Sequence, residues 1–449
     1  MSSEAIAQEV AHTQHEAPLV VRDVKTPDGD HIDLLIADGV IRRRGASGAR
    51  DLLADLTPEA RGAARVFEGG GALISPPFVD AHFHLDATLS LGRPRLNRSG
   101  TLLEGIQIWA EQKPSLTEED VTLRARELIR WAVAQGTLAM RTHVDTCDPQ
   151  LRAARALVRL REEVRGFFDL QIVAFPQDGY LRHPQGVKLL TEALDLGVDV
   201  VGGIPHFERT TAAGDQSVAL LCELAAERGL RVDMHCDETD DPQSRHVETL
   251  AAQTIRFGLE GRVSASHVTS LHSAPNDFAA KLIPLLAEAQ VSVIANPLIN
   301  ITLQGRRDTY PKRRGMTRAP ELMAGGVNVA FGHDCVMDPW YALGSADMLE
   351  VAHMGLHVAQ LTSLAGMRAC FDAVTVNPAR ALGLAYSLDE GSPANFVVLH
   401  ARDPIEAIRL RAPRRLVVSR GRVVAEREVR PARVSLPHEP PRDVDFWKR

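Results

Sequence analysis

What most restricts the fold of this chain is an alternation in its middle. Eight short apolar runs, rich in β-branched residues, recur between residues 73 and 334: LISPPFVDAHFH (73–84), LAMRTHVD (138–145), LQIVAFPQ (170–177), VDVVGGIPH (198–206), RVDMHCDE (231–238), RVSASHVT (262–269), VSVIANPLIN (291–300) and VNVAFGHD (327–334). Helical patterns lie between most of them. In TEEDVTLRARELIRWAVAQG, Thr117 is placed to cap the helix N-terminus, with Asp120 three residues on, and Gly136 to end it. Gly229 ends DQSVALLCELAAERG in the same way. Strands that are apolar throughout are buried on both faces, as in a parallel sheet covered by helices. Eight βα units predict a (β/α)8 barrel. An open dinucleotide-binding sheet needs a glycine-rich turn after its first strand, and HFHLDATLS contains no glycine.

Both ends of the chain have another texture. LVVRDV, IDLLIA and VIRRR are broken by Pro27-Asp28-Gly29 and Asp38-Gly39, and near the other end ANFVVLHA and RRLVVSRGRVVAE carry Arg420-Gly421 at a turn. Such dipeptides between apolar runs signal hairpins. The expected fold is therefore α/β: a barrel over 73–385 with a small β-sandwich domain formed from both chain ends, 18–72 and 386–449, after a disordered lead over 1–17.

Composition narrows the class. No stretch of about 18 apolar residues occurs, so no spanning helix is expected. The start has neither a basic region nor an apolar one, so no secretory signal is expected. Cys147, Cys222, Cys236, Cys335 and Cys370 form no CxxC pair, which argues for free thiols in a reducing cytoplasm. A formal charge of −7 argues against general nucleic-acid binding. The cluster Arg306, Arg307, Lys312, Arg313, Arg314 and Arg318 is the one feature in favour of it, and only Tyr310 stands among these cations as a stacking aromatic.

In a barrel of this kind chemistry gathers at the C-terminal strand ends. Seven of the eight runs, all but 291–300, end in His82 and His84, His143, Gln177, His206, His235 and Glu238, His267, and His333 and Asp334. His82 and His84 point to one face because strand side chains alternate. With His235 and Asp334 from other strands they make a shell of three imidazoles and one carboxylate, suited to a single divalent ion. Any one of these histidines alone is equally well a hydrogen-bonded core residue; four such residues at strand ends point to the metal. A metal lowers the pKa of bound water toward about 7, and Glu238, three residues after His235, is placed to carry that proton. It also lies in the acidic run Asp237–Asp241, where a solvated charge is the alternative. His267 is a candidate to orient the water.

The motifs PPFVDAHFHLD, AFPQ, IPHFE, HCDE, SHVTSLHS, ANPLINITLQGR, DTYPKRRG and FGHD-x-x-x-DPWYALG resemble, in this order over about 73–385, the bacterial cytosine deaminases of the amidohydrolase superfamily. The resemblance implies that His82, His84, His235 and Asp334 hold one Fe2+ or Zn2+. It implies that Glu238 protonates ring N3 and shuttles protons, while His267 and Asp334 assist at the attacking water. Gln177 would read the ring carbonyl, the main chain at Leu102 would meet the far ring edge, and Trp340 would wall the pocket. The substrate would be a free pyrimidine base, losing ammonia from C4, and the protein a homo-oligomer, with a hexamer as one form.

One position departs from the family pattern. Gly332-His333-Asp334 is followed by Cys335, where these enzymes usually carry a second aspartate. A cysteine behaves as a small hydrophobe and accepts a methyl group that a hydrated carboxylate would exclude. This predicts turnover of 5-methylcytosine to thymine; neutral drift in an ordinary cytosine deaminase is the competing explanation. Another cyclic amidine, such as isoguanine or an ammelide, fits the same metal site.

Overall fold

The computed structural model describes residues 17–48, 52–54 and 56–447; the lead expected over 1–17 lies, but for Ala17, outside them. The chain divides into two compact units, one from Pro77–Ala385 with Pro404–Pro413, the other from the segments on either side.

The chain opens with β1 (Leu19–Lys25), β2 (His31–Ala37), β3 (Val40–Ala46) and β4 (Arg65–Ser75). Asp38 and Gly39 both take positive φ, 52° and 81°, between β2 and β3, the twist that suits a two-residue hairpin. The run expected over 73–84 divides at Pro76-Pro77. Two successive residues without N–H donors cannot continue a ladder, so Leu73–Ser75 remain in the end-domain sheet and a new strand starts at Phe78.

That strand, β5 (Phe78–Phe83), begins the barrel. It is followed by β6 (Thr137–Asp145), β7 (Asp169–Phe175), β8 (Val200–Gly203), β9 (Arg231–Cys236), β10 (Val263–His267), β11 (Ser292–Ala295) and β12 (Val329–Phe331). Neighbours pair in parallel and in sequence order. A parallel bridge between Phe83 and Asp334 brings the eighth strand to the first. All nine residues of β6 are buried, as a strand covered on both faces requires. Strand seven is shorter than its apolar run suggests: Pro297, whose missing N–H suits a helix start, opens a helix over Pro297–Leu303. Thr117 accepts from the Asp120 N–H at 3.1 Å, and Gly136 and Gly229 take φ of 82° and 67° at their helix ends.

After the barrel, β13 (Phe396–Leu399), β14 (Arg414–Ser419) and β15 (Arg422–Glu426) join β4. The sheet runs β15-β14-β13-β4-β1-β2-β3. One continuous ladder thus links the strands expected of the sandwich, and Val21, Leu34, Ile36, Ile74, Phe396, Val398 and Leu416 share its core. Among the described residues no helix is long and apolar enough to cross a membrane.

Candidate active site

The C-terminal strand ends of the barrel bring His82, His84, His235 and Asp334 together in a buried group. His84 Nε2 lies 3.1 Å from His235 Nε2. Asp334 Oδ1 lies 3.6 Å from His82 Nε2 and 3.5 Å from His84 Nε2. His267, the last residue of β10, and Asp334, three residues past β12, take left-handed φ of 71° and 72°, uncommon for residues with a Cβ and concentrated at functional sites.

The donor set fits a divalent cation. Tetrahedral bonds of 2.0–2.1 Å put ligand atoms about 3.3 Å apart, and the three separations above bracket that value. Among the described residues, His82 Nε2, His235 Nδ1 and Asp334 Oδ2 are buried without hydrogen-bond partners, which is costly for polar atoms unless an ion satisfies some of them. Burial, reinforced by the neighbouring cationic forms, holds His82 and His235 well below the usual imidazole range, and burial brings His84 to about 3. All three rings are therefore neutral, the form that binds metal.

Beneath the group lies a support that the sequence did not reveal. His82 Nδ1 is 2.8 Å from Ser266 Oγ, which donates to Asp233 Oδ1 at 2.7 Å. Asp233 in turn accepts from the fully buried Arg141 at 2.8 Å. His143, noted only as a strand end, lies with its ring centroid 4.1 Å from that of His82 and tilted by 37°, and among the described residues neither of its nitrogens has a hydrogen-bond partner. His267 is clamped at Nδ1 by the Asn300 and Asn296 side chains, at 3.0 and 3.3 Å. A signal was available: Asp80 with His82, Arg141 with His143, and Asp233 with His235 are each two residues apart in apolar strands, and so share a face.

Above the group opens a cavity of about 940 Å³ lined by Leu102, Gln177, Glu238, His267, Cys335 and Trp340, among others. Glu238 is buried, 3.5 Å from His267 Nδ1, and burial pushes its carboxyl up to about 8. The Cys335 thiol donates to Asp334 Oδ1 at 3.4 Å, and burial, with Asp334 and Asp338 beside it, keeps it a neutral thiol. The Trp340 ring stands 6.3 Å from that of His84. His206 also lines the cavity, from a short turn after β8, whereas His333 bonds the Cys335 carbonyl. Most of the cations after strand seven are tied within the chain. Arg313 pairs with Asp308, Arg314 and Arg318 cap main-chain carbonyls, and Arg306 reaches the Thr302 carbonyl.

A (β/α)8 barrel carrying this imidazole–carboxylate group at its strand ends defines the class of metal-assisted hydrolases. Residues 65–425 match the model of the Amidohydrolase family. The chain is 31% identical over 398 residues to pterin deaminase of Rhizobium rhizogenes strain K84, covering 87% of each. It is 28% identical to N-isopropylammelide isopropyl amidohydrolase of Pseudomonas sp. strain ADP, covering 80% of this chain and 87% of that one. A crystal structure of 5-methylcytosine deaminase from Klebsiella pneumoniae, liganded with 5-fluorocytosine, superposes with a TM-score of 0.88 at 41% identity, covering 94% of this chain and all of that one. The chain belongs to the amidohydrolase family, as an enzyme of the deaminase type.

Proposed function

We propose that this chain deaminates free pyrimidine bases by hydrolysis, converting cytosine and 5-methylcytosine to uracil and thymine with release of ammonia. One observation carries the reading: Glu238, Gln177 and the buried His/Asp group open into one cavity of a chain 41% identical to a 5-methylcytosine deaminase. His82, His84, His235 and Asp334 would hold one Fe2+ or Zn2+, which when bound makes water nucleophilic near neutral pH. A carboxyl near 8 stands protonated at neutral pH, so Glu238 can give its proton to ring N3 and relay the next one to the departing nitrogen. Oxygen first adds to C4, making it tetrahedral; once Glu238 has moved the hydroxyl proton to the exocyclic nitrogen, the C4–N bond breaks, ammonia leaves and the C4 carbonyl forms. His267 orients the water with Asp334. The Gln177 amide meets the ring carbonyl, the main chain at Leu102 the opposite edge, and Trp340 covers the ring.

The reading extends to the methylated base through Cys335. A neutral, buried thiol is a small apolar wall, and a methyl group buried against it contributes about 0.8 kcal/mol. An aspartate there would have to lose hydration to admit the same methyl. The test is kcat/KM for both bases with the wild type and Cys335→Asp. The wild type is expected to use both, and C335D to shift the ratio toward cytosine by about tenfold, or 1.4 kcal/mol. A metal-loaded enzyme active on cytosine but inert to 5-methylcytosine would overturn the methyl-acceptance claim. A second reading, a larger fused-ring cyclic amidine, is favoured by a cavity of about 940 Å³, several times the volume of a one-ring base, and by the pterin deaminase relative. Ammonia release across a panel of one-ring and two-ring substrates separates the two.

A further inference from the structure

Leu102 and Gln177 stand on different segments, and one buried ammonium ties those segments together. Leu102 is the first residue of the helix Leu102–Gln112, capped by Thr101, and Lys113 follows directly at its far end. The Lys113 side chain turns inward to 11% exposure, with Nζ 2.9 Å from Asp145 Oδ2 and 2.7 Å from Asp178 Oδ2. Asp145 closes β6 and also accepts from Trp109 Nε1, on the same helix, at 2.8 Å. Asp178 is the residue after Gln177, and its N–H donates to Cys147 Sγ at 3.4 Å. Near its other end the helix lies hard against Trp340: a Cβ on Gly105 would come within 2.3 Å of Trp340 Cδ1.

We propose that Lys113 is a positioning residue for substrate binding: by bridging Asp145 and Asp178 it sets the distance between the Leu102 edge and the Gln177 amide. This rests on the pyrimidine reading above, in which those two groups hold opposite edges of the ring. An α-helix moves as a rigid rod, so releasing its far end shifts Leu102, while Asp178 loses the partner that holds the Gln177 turn. A misplacement of about 1 Å is enough to spoil substrate geometry. Cys147, Asp178 and His183 have ligand atoms within 4.8 Å of one another, a spacing that would also suit a metal. Lys113 already supplies the cation there, and burial pushes the Cys147 thiol well up from its ordinary value. The cluster is thus a tie between segments.

The experiment compares Lys113→Met, Lys113→Arg and Asp178→Asn with the wild type. It measures kcat and KM for cytosine and 5-methylcytosine, equilibrium Kd for uracil and thymine, and bound metal. K113M is expected to raise KM and product Kd about tenfold, with kcat within threefold and metal content unchanged. K113R, whose guanidinium can bridge two carboxylates, is expected to restore both to within threefold. D178N, which removes one charge and keeps the shape, is expected to shift KM and Kd the same way by a smaller factor, and it serves as the readout if K113M does not fold. Unchanged KM and Kd in folded K113M or D178N would overturn the proposal, as would a loss confined to kcat. If the wild type turns over no pyrimidine base, the functional reading falls and this inference with it; if the wild type is active and the variants match it, only the role of Lys113 falls.

Discussion

Ser266→Ala isolates the support of one imidazole of the proposed metal site. The Ser266 hydroxyl gives its proton to Asp233 Oδ1 at 2.7 Å, so toward His82 Nδ1, 2.8 Å away, it can only accept. The His82 proton is thereby held on Nδ1, and Nε2, facing Asp334, keeps its lone pair. Alanine leaves Nδ1–H and Oδ1 unpaired, with His82 and Asp233 both fully buried. Each unpaired buried group costs about 1–3 kcal/mol; because both border one small hole and can relax together, the expected loss of stability is about 2–4 kcal/mol. Loosening the support of a ligand imidazole weakens metal binding by about 10–100-fold, or about 1.4–2.7 kcal/mol. The assay is a chelator-competition titration of metal-free protein with Zn2+, paired with urea unfolding. A Kd within twofold of wild type in the folded variant would refute the role assigned to Ser266. Replacing Arg141 would be less informative, since stranding a buried partner carboxylate costs about 3–5 kcal/mol of fold stability on its own.

Two further perturbations test the cavity. Glu238 has its carboxyl raised from 4.5 to about 8 by burial, so in metal-free protein it costs no stability below pH 4.5, and the cost grows as pH rises toward 8 because the unfolded chain ionises first. Glu238→Gln should therefore match wild type in urea unfolding near pH 4 and exceed it by up to about 4 kcal/mol near pH 8, while losing about 10²–10⁴-fold in kcat; parallel stability profiles would refute the burial argument. Gly105→Ala places a methyl 2.3 Å from Trp340 Cδ1, and overpacking of this kind costs about 1–3 kcal/mol. A changed Trp340 environment and a raised KM are expected, and an unchanged KM would show that Trp340 does not shape the pocket.

The parts legible in the sequence are those set by local rules. Thr117 and Gly136 announce helix ends through backbone groups a few residues away. Asp38-Gly39 and Arg420-Gly421 announce hairpins because both residues of each pair take positive φ. The strand-end histidines are legible because a parallel barrel sends all its C-terminal ends to one mouth. Other features depend on partners distant in the chain. The parallel pairing of β1 with β4 joins the end-domain strands into one ladder, and neither strand carries a mark of the other. Lys113 reads as a solvated charge after a helix until Asp145 and Asp178 are brought to it. Ser266 reads as a generic small strand residue, because its meaning comes from Asp233 and His82.

The ring closure explains why the residues of the proposed metal site come together although they lie far apart in sequence. His82 and Asp334 are neighbours only because the eighth strand meets the first, and that meeting is thin: β12 has three residues, and the contact to β5 is a single bridge. Two backbone bonds carry it, Asp334 N–H to the His82 carbonyl at 2.8 Å and His84 N–H to the Asp334 carbonyl at 3.1 Å. Asp80 adds what the short ladder lacks. Its Oδ1 accepts from the His333 N–H at 3.0 Å and the His82 N–H at 3.3 Å, stitching both strands through one side chain. Burial raises that carboxyl to about 7 against the pull of these same donors, so the seam holds a group that would be more stable in water. Such a cost persists where geometry matters more than stability: the atoms that close the barrel are adjacent to the proposed metal ligands, and a barrel that failed to close would not bring His82 and Asp334 together.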